Sequence, residues 1–339
     1  MNLRVVTPRP FNASTPIPAL AEDRTHPRLH YVRDHFDRPE APADADAWRV
    51  RVRGLVARPL ELGLAELRQF PSRAVDVTLE CAGNSRTRLR PVPSGVGWDD
   101  GAVSTARWTG ASLVEILMRA GVEPGAVEVV LRGADGDGET AYARSLPLDV
   151  AHHPDTLLAW EMDDAPIPLL HGGPLRLVVP GWYAMASVKW VTDVEVSDRP
   201  FEGRFQTGDY CYLDAEGRVL GPVTLARVKS LLYEPADGAQ VPASREVKVH
   251  GRAWSGDAPV RRVDVSTDGG ATWRRADLGP SLGPYAWRAF AFRWTPSPGA
   301  HVLVPRATDE AGHVQPLEPP WNLRGYGNNA VVPVRVTAK

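Results

Sequence analysis

The sequence predicts an α+β protein in which a mixed α/β domain precedes an immunoglobulin-like β-sandwich. Short β-like runs alternate with helical patterns between residues 48 and about 198, whereas strand candidates alone follow one another from about residue 221. The chain also has 339 residues, which is longer than one hydrophobic core usually grows. We therefore expect an N-terminal arm at 1–47, a first domain at 48–217 and a second domain at 218–339.

The N-terminal arm is rich in Pro, Asp and Ala and shows little hydrophobic periodicity. A segment without periodic apolar positions cannot form a core of its own, so this arm is expected to lie extended on the first domain. Its beginning, MNLRVVTPRPFNASTPIPAL, has no continuous apolar stretch of the signal-peptide type. We expect a cytoplasmic protein, or a periplasmic one if a signal sequence was trimmed.

The first domain contains strand candidates such as WRVRVRGLV and VEVVLRG, and helix candidates such as LAELRQF and GASLVEILMRAG. Their alternation predicts a mixed α/β domain. The stretch 197–217 has little regular pattern but is too long for a bare linker. It is therefore expected to pack on the first domain or to carry function.

The second domain shows closely spaced strand candidates joined by Gly, Pro and Asp turns, which is typical of an immunoglobulin-like sandwich. Within it, STDGGATW predicts a tight hairpin, because Asp-Gly supplies the positive φ that such turns need. Trp254, Trp273, Trp287 and Trp294 fall in strand candidates and are expected to fill the interior.

The composition argues against several classes of function. A formal net charge of -2 does not suit a surface made for nucleic acid or for a membrane. No apolar stretch approaches the length that spans a bilayer. Two cysteines cannot form a disulfide framework, and nothing in their spacing resembles a zinc site built from Cys and His pairs.

Cys81 lies in TLECAGNSR, just after an apolar alternating stretch, and the residue pattern leaves three roles open. The first is a buried small hydrophobe, the commoner role of an isolated cysteine. The second is a nucleophile, which needs a base such as a histidine at 152, 153 or 171. The third is a metal thiolate, because the arginines at 86, 88 and 90 favour an ionised sulfur and attract an anion.

Several motifs together resemble the sulfite oxidase family, whose members bind molybdenum through a molybdopterin dithiolene and one protein thiolate. LECAGNSR resembles the segment around the molybdenum-ligating cysteine, and HYVRDHF resembles the family's Tyr-Val-Arg-Asn-His segment, with Asp34 in place of Asn. Further similar segments follow in the family's order: ARWTGASLVEIL, the long stretch LAWEMDD to KWVTDVEV, FQTGDY, and ATDEAGHVQP to WNLRGYGNNA. The resemblance spans nearly the whole chain.

This resemblance implies a molybdenum and molybdopterin cofactor, with Cys81 as the protein ligand to the metal. The cofactor-binding residues that it implies are Tyr31, Arg33, His35, Cys81, Asp135, His171, Arg176, Ser187 and Lys189. Arg33 and His35 are two apart on an extended segment, so they are expected to point to the same side. Arg176 can bind the pterin phosphate through two parallel hydrogen bonds. Lys189 is alternatively a solvated lysine before a core tryptophan.

The resemblance also implies a pocket for a small oxyanion, formed by Arg33, Arg86 and Arg288, with Tyr210 at the metal face. Three guanidiniums repel one another unless an anion lies between them, so their convergence would predict an anionic substrate. Alternatively, Arg288 lies on a strand of the sandwich, where its charge interacts with a neighbouring strand.

The implied activity is oxidation of sulfite to sulfate by oxygen-atom transfer. Ser85 and Ala186 stand where arginines are frequent in the family, so the positive field is smaller than in the vertebrate enzymes and the substrate stays open. One alternative is a related molybdenum reductase that acts on nitrate or on an S- or N-oxide. Another is a non-catalytic interaction protein in which the sandwich does the binding.

The partners follow from the same reasoning. No C-x-x-C-H haem motif is present, and no separate haem or flavin domain fits in the length, so electrons are expected to pass to an external acceptor such as a cytochrome. The family's C-terminal domain implies a homodimer, for which C2 symmetry is the usual form.

Overall fold

The computed structural model describes residues 1–40, 42–136 and 140–339, and these residues form mostly β-strands with few helices. The strands up to residue 222 are β1 (Arg4–Thr7), β2 (Asn12–Ser14), β3 (Val32–Arg33), β4 (Arg49–Gly54), β5 (Leu60–Gly63), β6 (Ser72–Glu80), β7 (Val103–Ser112), β8 (Glu128–Gly133), β9 (Ala143–Pro147), β10 (Leu157–Met162), β11 (Ala165–Pro166), β12 (Arg176–Val178), β13 (Val191–Ser197), β14 (Cys211–Leu213) and β15 (Val219–Pro222). The α-helices are α1 (Leu64–Leu67), α2 (Leu113–Ala120) and α3 (Leu148–Ala151).

Two sheets form the centre of the first domain. One has the order β11-β10-β7-β6 with β12 also paired to β10, and the other has the order β5-β4-β13-β8-β9. Val50 and Val52 of β4 are fully buried while the arginines around them are exposed, as the two-residue period of a strand requires. α2 buries Leu113, Ile116 and Leu117 in the same core.

The first domain has less helix than the alternating pattern predicted. The candidate LAELRQF yields only the short α1, which ends at Leu67. Pro71 follows closely, and a proline pushes the preceding residue out of the helical region, so the helix cannot continue. The mixed α/β expectation is therefore replaced by a domain built mostly of sheet.

The N-terminal arm contacts both domains. β1, β2 and β3 form a small sheet, so the arm is not simply extended. The backbone N–H of Thr15 donates to the carbonyl of Gly101 in the first domain at 2.8 Å. Arg252 of the second domain donates from Nε to the carbonyl of Leu20 at 2.7 Å. The arm therefore fastens the two domains to each other.

The second domain contains two sheets that share one hydrophobic core. Its strands are β16 (Lys229–Glu234), β17 (Ala239–Val241), β18 (Val247–Trp254), β19 (Val260–Ser266), β20 (Arg274–Arg275), β21 (Asp277–Leu278), β22 (Arg288–Trp294), β23 (Gly299–Asp309) and β24 (Val334–Ala338). The sheets have the orders β16-β18-β22-β21 and β17-β24-β23-β19-β20. STDGGATW joins β19 to β20 through Gly269 and Gly270, whose φ angles are +75° and +104°. The hairpin prediction is confirmed.

The tryptophan prediction is wrong for three of the four residues. Trp294 belongs to the core shared by the two sheets. Trp254 and Trp287 instead pack with Leu20 in a separate cluster where the arm and the two domains meet. Trp273 is only half-buried, and the guanidinium of Arg306 lies over its ring at 5.5 Å. The side chains of Trp254 and Trp287 therefore fill the junction between the two domains and not the core of the second domain.

The irregular segment 197–217 packs on the first domain as expected, because Phe205 and Tyr210 are buried in the first-domain core. β6 and β7 form a continuous antiparallel pair from Ser72 opposite Ala111 to Glu80 opposite Val103. Cys81 directly follows this rigid pair. Within the described residues, no helix combines the length and the apolar character that crossing a bilayer requires.

Candidate active site

A pocket lies where the arm, the end of β6 and the loops near β12 meet. The predicted residues that line it are Tyr31, Arg33, His35, Cys81, Asp135, His171, Arg176, Ser187, Lys189 and Tyr210. Arg86 and Arg288 are not among its lining residues. His30 and Tyr142 also line the pocket and were not predicted, although His30 directly precedes Tyr31 in the segment HYVRDHF.

Cys81 is a free, buried thiol on the wall of this pocket. Burial raises its pKa, while the Arg33 charge and a hydrogen bond from the Gly83 backbone lower it. The structure gives the nucleophile interpretation no support: among the described residues no hydrogen bond joins the Cys81 thiol to a histidine, His153 packs on the ring of Tyr285, and the Nε2 of His171 hydrogen-bonds the carbonyl of Pro27 at 2.7 Å. A buried sulfur facing a fixed cation suits a thiolate ligand better.

His35 and Tyr210 form a hydrogen-bonded pair on the pocket wall. The His35 Nε2 and the Tyr210 hydroxyl are 2.7 Å apart, and the imidazole stacks on Tyr142 with ring centroids 4.5 Å apart. Burial, with help from the Arg33 charge, holds the pKa of His35 well below its ordinary value. Burial also raises the pKa of Tyr210 well above its ordinary value. Both groups are therefore neutral near pH 7.

Arg33 supplies a permanent positive charge at the pocket. Burial is the largest effect and lowers the pKa of its guanidinium, but Tyr210, Cys81, Tyr142 and Tyr326 together oppose it, and the pKa lies above its ordinary value. Its Nη1 donates to the carbonyl of Asp34 and, at 3.3 Å, to the Oδ1 of Asn12. These two neutral acceptors hold the guanidinium without cancelling its charge.

Lys189, which lines the pocket, forms a buried ion pair with Asp34. Arg38 also approaches the Asp34 carboxylate, at 3.2 Å. Burial lowers the pKa of Lys189 to about 8, and Asp34 opposes that shift. The carboxylate that stands in place of the family's Asn is therefore neutralised by two cations within the chain.

Three buried polar atoms of residues that line the pocket have no hydrogen-bond partner among the described residues. They are the Nε of Arg176, the Nε2 of His30 and the Oδ1 of Asp135. Burial lowers the pKa of Arg176 to about 10 and raises the pKa of Asp135 to about 6. Buried polar atoms without partners are costly, so their convergence indicates a polar ligand.

Two predicted arginines lie outside the pocket. Arg86 is buried beside Cys81, where its guanidinium donates to the carbonyl of Val96 at 2.8 Å and lies 5.2 Å from the centre of the Tyr326 ring. Arg288 lies in the second domain, does not line the pocket, and donates to the carbonyls of Gly279 at 2.8 Å and Val260 at 3.2 Å. The placement of Arg288 at the oxyanion pocket was wrong, because neighbouring strands of its own domain bind its guanidinium.

Two other arginines approach Tyr210 and were missed. Arg324 of the second domain donates to the carbonyl of Gly208 at 3.0 Å and to Asp209 at 3.2 Å. The sequence motif that could have identified Arg324 is WNLRG, in the C-terminal segment that resembles the family. Arg144 is fully buried, with its guanidinium 5.7 Å from the centre of the Tyr210 ring. No pattern in the sequence marked Arg144.

The two halves of the chain each match a described protein family. Residues 35–205 match the family described as "Oxidoreductase molybdopterin binding domain". Residues 223–339 match the "Mo-co oxidoreductase dimerisation domain". These matches define the class as molybdopterin-dependent oxidoreductases.

Individual relatives narrow the class. Sulfite oxidase of Gallus gallus is 40% identical, and the match covers 97% of this chain and 76% of that protein. Mitochondrial sulfite oxidase of Rattus norvegicus is 38% identical, and the match covers 97% of this chain and 64% of that protein. Among solved structures, the sulfane dehydrogenase SoxCD from Paracoccus pantotrophus superposes with a TM-score of 0.88 at 29% identity, covering 98% of this chain and 87% of that one. The chain belongs to the sulfite oxidase family.

The pocket fits the molybdopterin cofactor that family membership implies. The unpartnered atoms of Arg176, His30 and Asp135 offer donors and an acceptor to a polar ring system. Arg176 and Lys189 offer positive charge to a phosphate. Cys81 offers a soft sulfur of the kind that redox metals bind.

Proposed function

We propose that this protein oxidises sulfite to sulfate with a molybdenum cofactor and passes the electrons to an external acceptor. The observation that carries the proposal is the convergence of a buried thiol, a permanently charged guanidinium and a neutral phenol on one pocket, contributed by Cys81, Arg33 and Tyr210. When bound, the cofactor supplies an oxygen atom to sulfite and accepts two electrons. The sulfite oxidases among the relatives support this choice of substrate.

Each residue has a separate task in this proposal. Cys81 holds the metal, and Arg176, Lys189, His171 and Asp135 hold the pterin and its phosphate. Arg33 binds and orients the sulfite dianion, which removes part of the entropic barrier. Its charge does not depend on pH in the working range, because its pKa lies above the ordinary arginine value.

Tyr210 and His35 form a neutral hydrogen-bonded pair at the pocket wall. Tyr210 keeps its proton because burial raises its pKa, and His35 stays neutral because burial lowers its pKa. The phenol can therefore donate a hydrogen bond to the substrate, while the neutral imidazole, 2.7 Å away, orients the phenol.

We also propose that the second domain, 218–339, is an immunoglobulin-like sandwich that forms a homodimer, and that 48–217 is the catalytic domain. Two sheets around one core and the dimerisation family at 223–339 support this assignment. Sedimentation should give about twice the mass of one chain, because C2 pairs are the usual form. A monomer at micromolar concentration would contradict the dimer.

The activity is tested on purified protein loaded with molybdenum cofactor. We expect about one molybdenum per chain and sulfite-dependent reduction of ferricyanide. Turnover of nitrate or an S-oxide with a reduced dye, without turnover of sulfite at any pH, would replace the oxidase by a reductase. Absence of molybdenum after loading would contradict both the oxidase and the reductase activity.

A further inference from the structure

The second domain binds the loop that carries Cys81, residues 80–86, which we call the cysteine loop. Lys229 lies at the start of β16, and its side chain is fully buried. Its Nζ donates to the Oγ of Ser85 at 2.8 Å and to the Oε1 of Glu80 at 3.2 Å. It also donates to the carbonyl of Asn328 at 2.8 Å. One ammonium group thus joins the residue before Cys81 to a residue shortly after it.

Other groups of the second domain bind the cysteine loop at separate points. The indole Nε1 of Trp254 donates to the Oε2 of Glu80 at 2.9 Å. The Nδ2 of Asn328 donates to the carbonyl of Ser85 at 2.9 Å. The backbone N–H of Gly327 donates to the carbonyl of Ala82, next to Cys81, at 2.8 Å. Both carboxylate oxygens of Glu80 are therefore held from the second domain.

The backbone of the cysteine loop needs such support. Ser85 has a φ of +62°, in the left-handed region that non-glycine residues rarely occupy. Such strain persists only where the surroundings over-determine it. The hydroxyl of Ser85 is held by Lys229 and by Asp100, to which it donates at 2.7 Å.

The Lys229–Glu80 pair also carries an electrostatic consequence. Both side chains are almost entirely removed from solvent. Removing one partner of such a pair leaves an uncompensated buried charge, which the structure relieves by moving or by admitting water. A movement of Glu80 displaces the adjacent Cys81.

We propose that Lys229 is a positioning residue that fixes the Cys81 sulfur at the metal through Glu80 and Ser85. The second domain is thereby part of the metal site as well as a subunit contact. This inference rests on the proposed role of Cys81 as the metal ligand.

The test compares Lys229→Met with the wild-type protein, both loaded with cofactor and reduced by dithionite. We expect the electron paramagnetic resonance g values of the partly reduced molybdenum to shift in Lys229→Met. The molybdenum that Lys229→Met retains after dialysis should indicate a metal affinity about 10-fold lower than in the wild-type protein. This is the lower end of the loss in metal affinity that follows removal of a residue supporting a metal ligand. Neither measurement depends on turnover or on the identity of the substrate.

The matched control is Arg252→Met. Arg252 is another buried cation of the second domain, but it binds the arm through the carbonyls of Leu20 and Ala21 and the carboxylate of Asp23. Its loss should lower the free energy of unfolding while the g values and the retained molybdenum stay as in wild type. An equal shift in both variants would mean a general loss of structure and would overturn the inference.

A Cys81→Ser variant separates failure of this inference from failure of the proposed function. Unchanged g values in Cys81→Ser would remove Cys81 as ligand. Changed g values in Cys81→Ser together with unchanged g values in Lys229→Met would support Cys81 as the metal ligand. They would overturn the positioning role of Lys229. If Lys229→Met does not fold, Ser85→Ala decides: we expect its g values to differ from those of the wild-type protein, and unchanged g values would overturn the inference.

Discussion

Arg144 is a buried cation whose contacts include no carboxylate among the described residues. Its Nη1 donates to the carbonyl of Phe205, its ring-face contact is with Tyr210, and its Nε has no partner within the described chain. Burial lowers the pKa of its guanidinium, and Tyr142 and Tyr210 oppose that shift. Arg144 therefore places positive charge behind Tyr210 and holds the segment before it.

Replacing Arg144 by Met should lower kcat/KM for sulfite about 10-fold, because a preorganised charge beside an anion pocket contributes a few kcal/mol at most when it is not in contact with substrate. Steady-state kinetics with sulfite and ferricyanide measure the effect. Arg144→Lys keeps the charge and should recover part of the loss.

The matched control is Arg204→Met, which removes an exposed guanidinium paired with Asp209. Exposed pairs contribute little, so its kcat/KM should stay close to wild type. Equal losses at both positions would show that Arg144 has no special relation to Tyr210.

At the scale of elements, aromatic side chains at the end of β18 and just before β22 join the two domains. Trp254 ends β18, and Trp287 directly precedes β22. The backbone N–H of Trp287 donates to the Oγ1 of Thr78 in β6 at 2.7 Å, and its indole Nε1 donates to the carbonyl of Asp23 in the arm at 2.7 Å. The junction therefore combines apolar burial with hydrogen bonds to both neighbours.

Trp287→Ala should reduce the free energy of unfolding by about 3–5 kcal/mol, because it removes a fully buried indole and leaves a cavity. Urea denaturation followed by circular dichroism measures this loss. Trp273→Ala is the control, since Trp273 is only half-buried and should cost much less. Similar losses in the two variants would contradict the assignment of Trp287 to the junction.

At the scale of the whole molecule, the pocket holds buried imidazoles that resist protonation. Burial holds the pKa values of His30 and His35 well below the ordinary value and lowers that of His171 to about 3. Asp135 acts in the opposite sense, because burial raises its pKa to about 6. The three imidazoles with lowered pKa values, those of His30, His35 and His171, therefore outnumber the one carboxyl group that opposes them, Asp135.

Cofactor-free protein should therefore lose stability as the pH falls below about 6.5, because the unfolded chain then binds protons that the folded imidazoles refuse. The contribution of His171 is present above the unfolded pKa and is lost as the pH falls towards about 3. Urea titrations at several pH values measure the slope, and His171→Gln should make it shallower. A free energy of unfolding that stays constant between about pH 7 and pH 5 would mean that these imidazoles are not held neutral.

Local patterns of the sequence predicted much of the site. Cys81, Arg33, His35, His171, Arg176 and Lys189 stand in short segments that resemble the family, and the structure gathers them around one pocket. The period of two in β4 and the Asp-Gly turn before β20 likewise follow from neighbouring residues alone. Such features depend on backbone geometry within a few positions, so a sequence expresses them directly.

The remaining features depend on contacts between distant parts of the chain. Arg288 falls in a segment that matched the family, yet strands of its own domain bind it, whereas Arg324 and Arg144 reach the surroundings of Tyr210. Lys229 and Ser85 are 144 positions apart in the sequence and 2.8 Å apart in space. The sequence by itself determined the family, the cofactor and the local strand patterns. Only the tertiary structure decided which cations surround the pocket and which domain holds Cys81, because packing across the domain junction sets those distances.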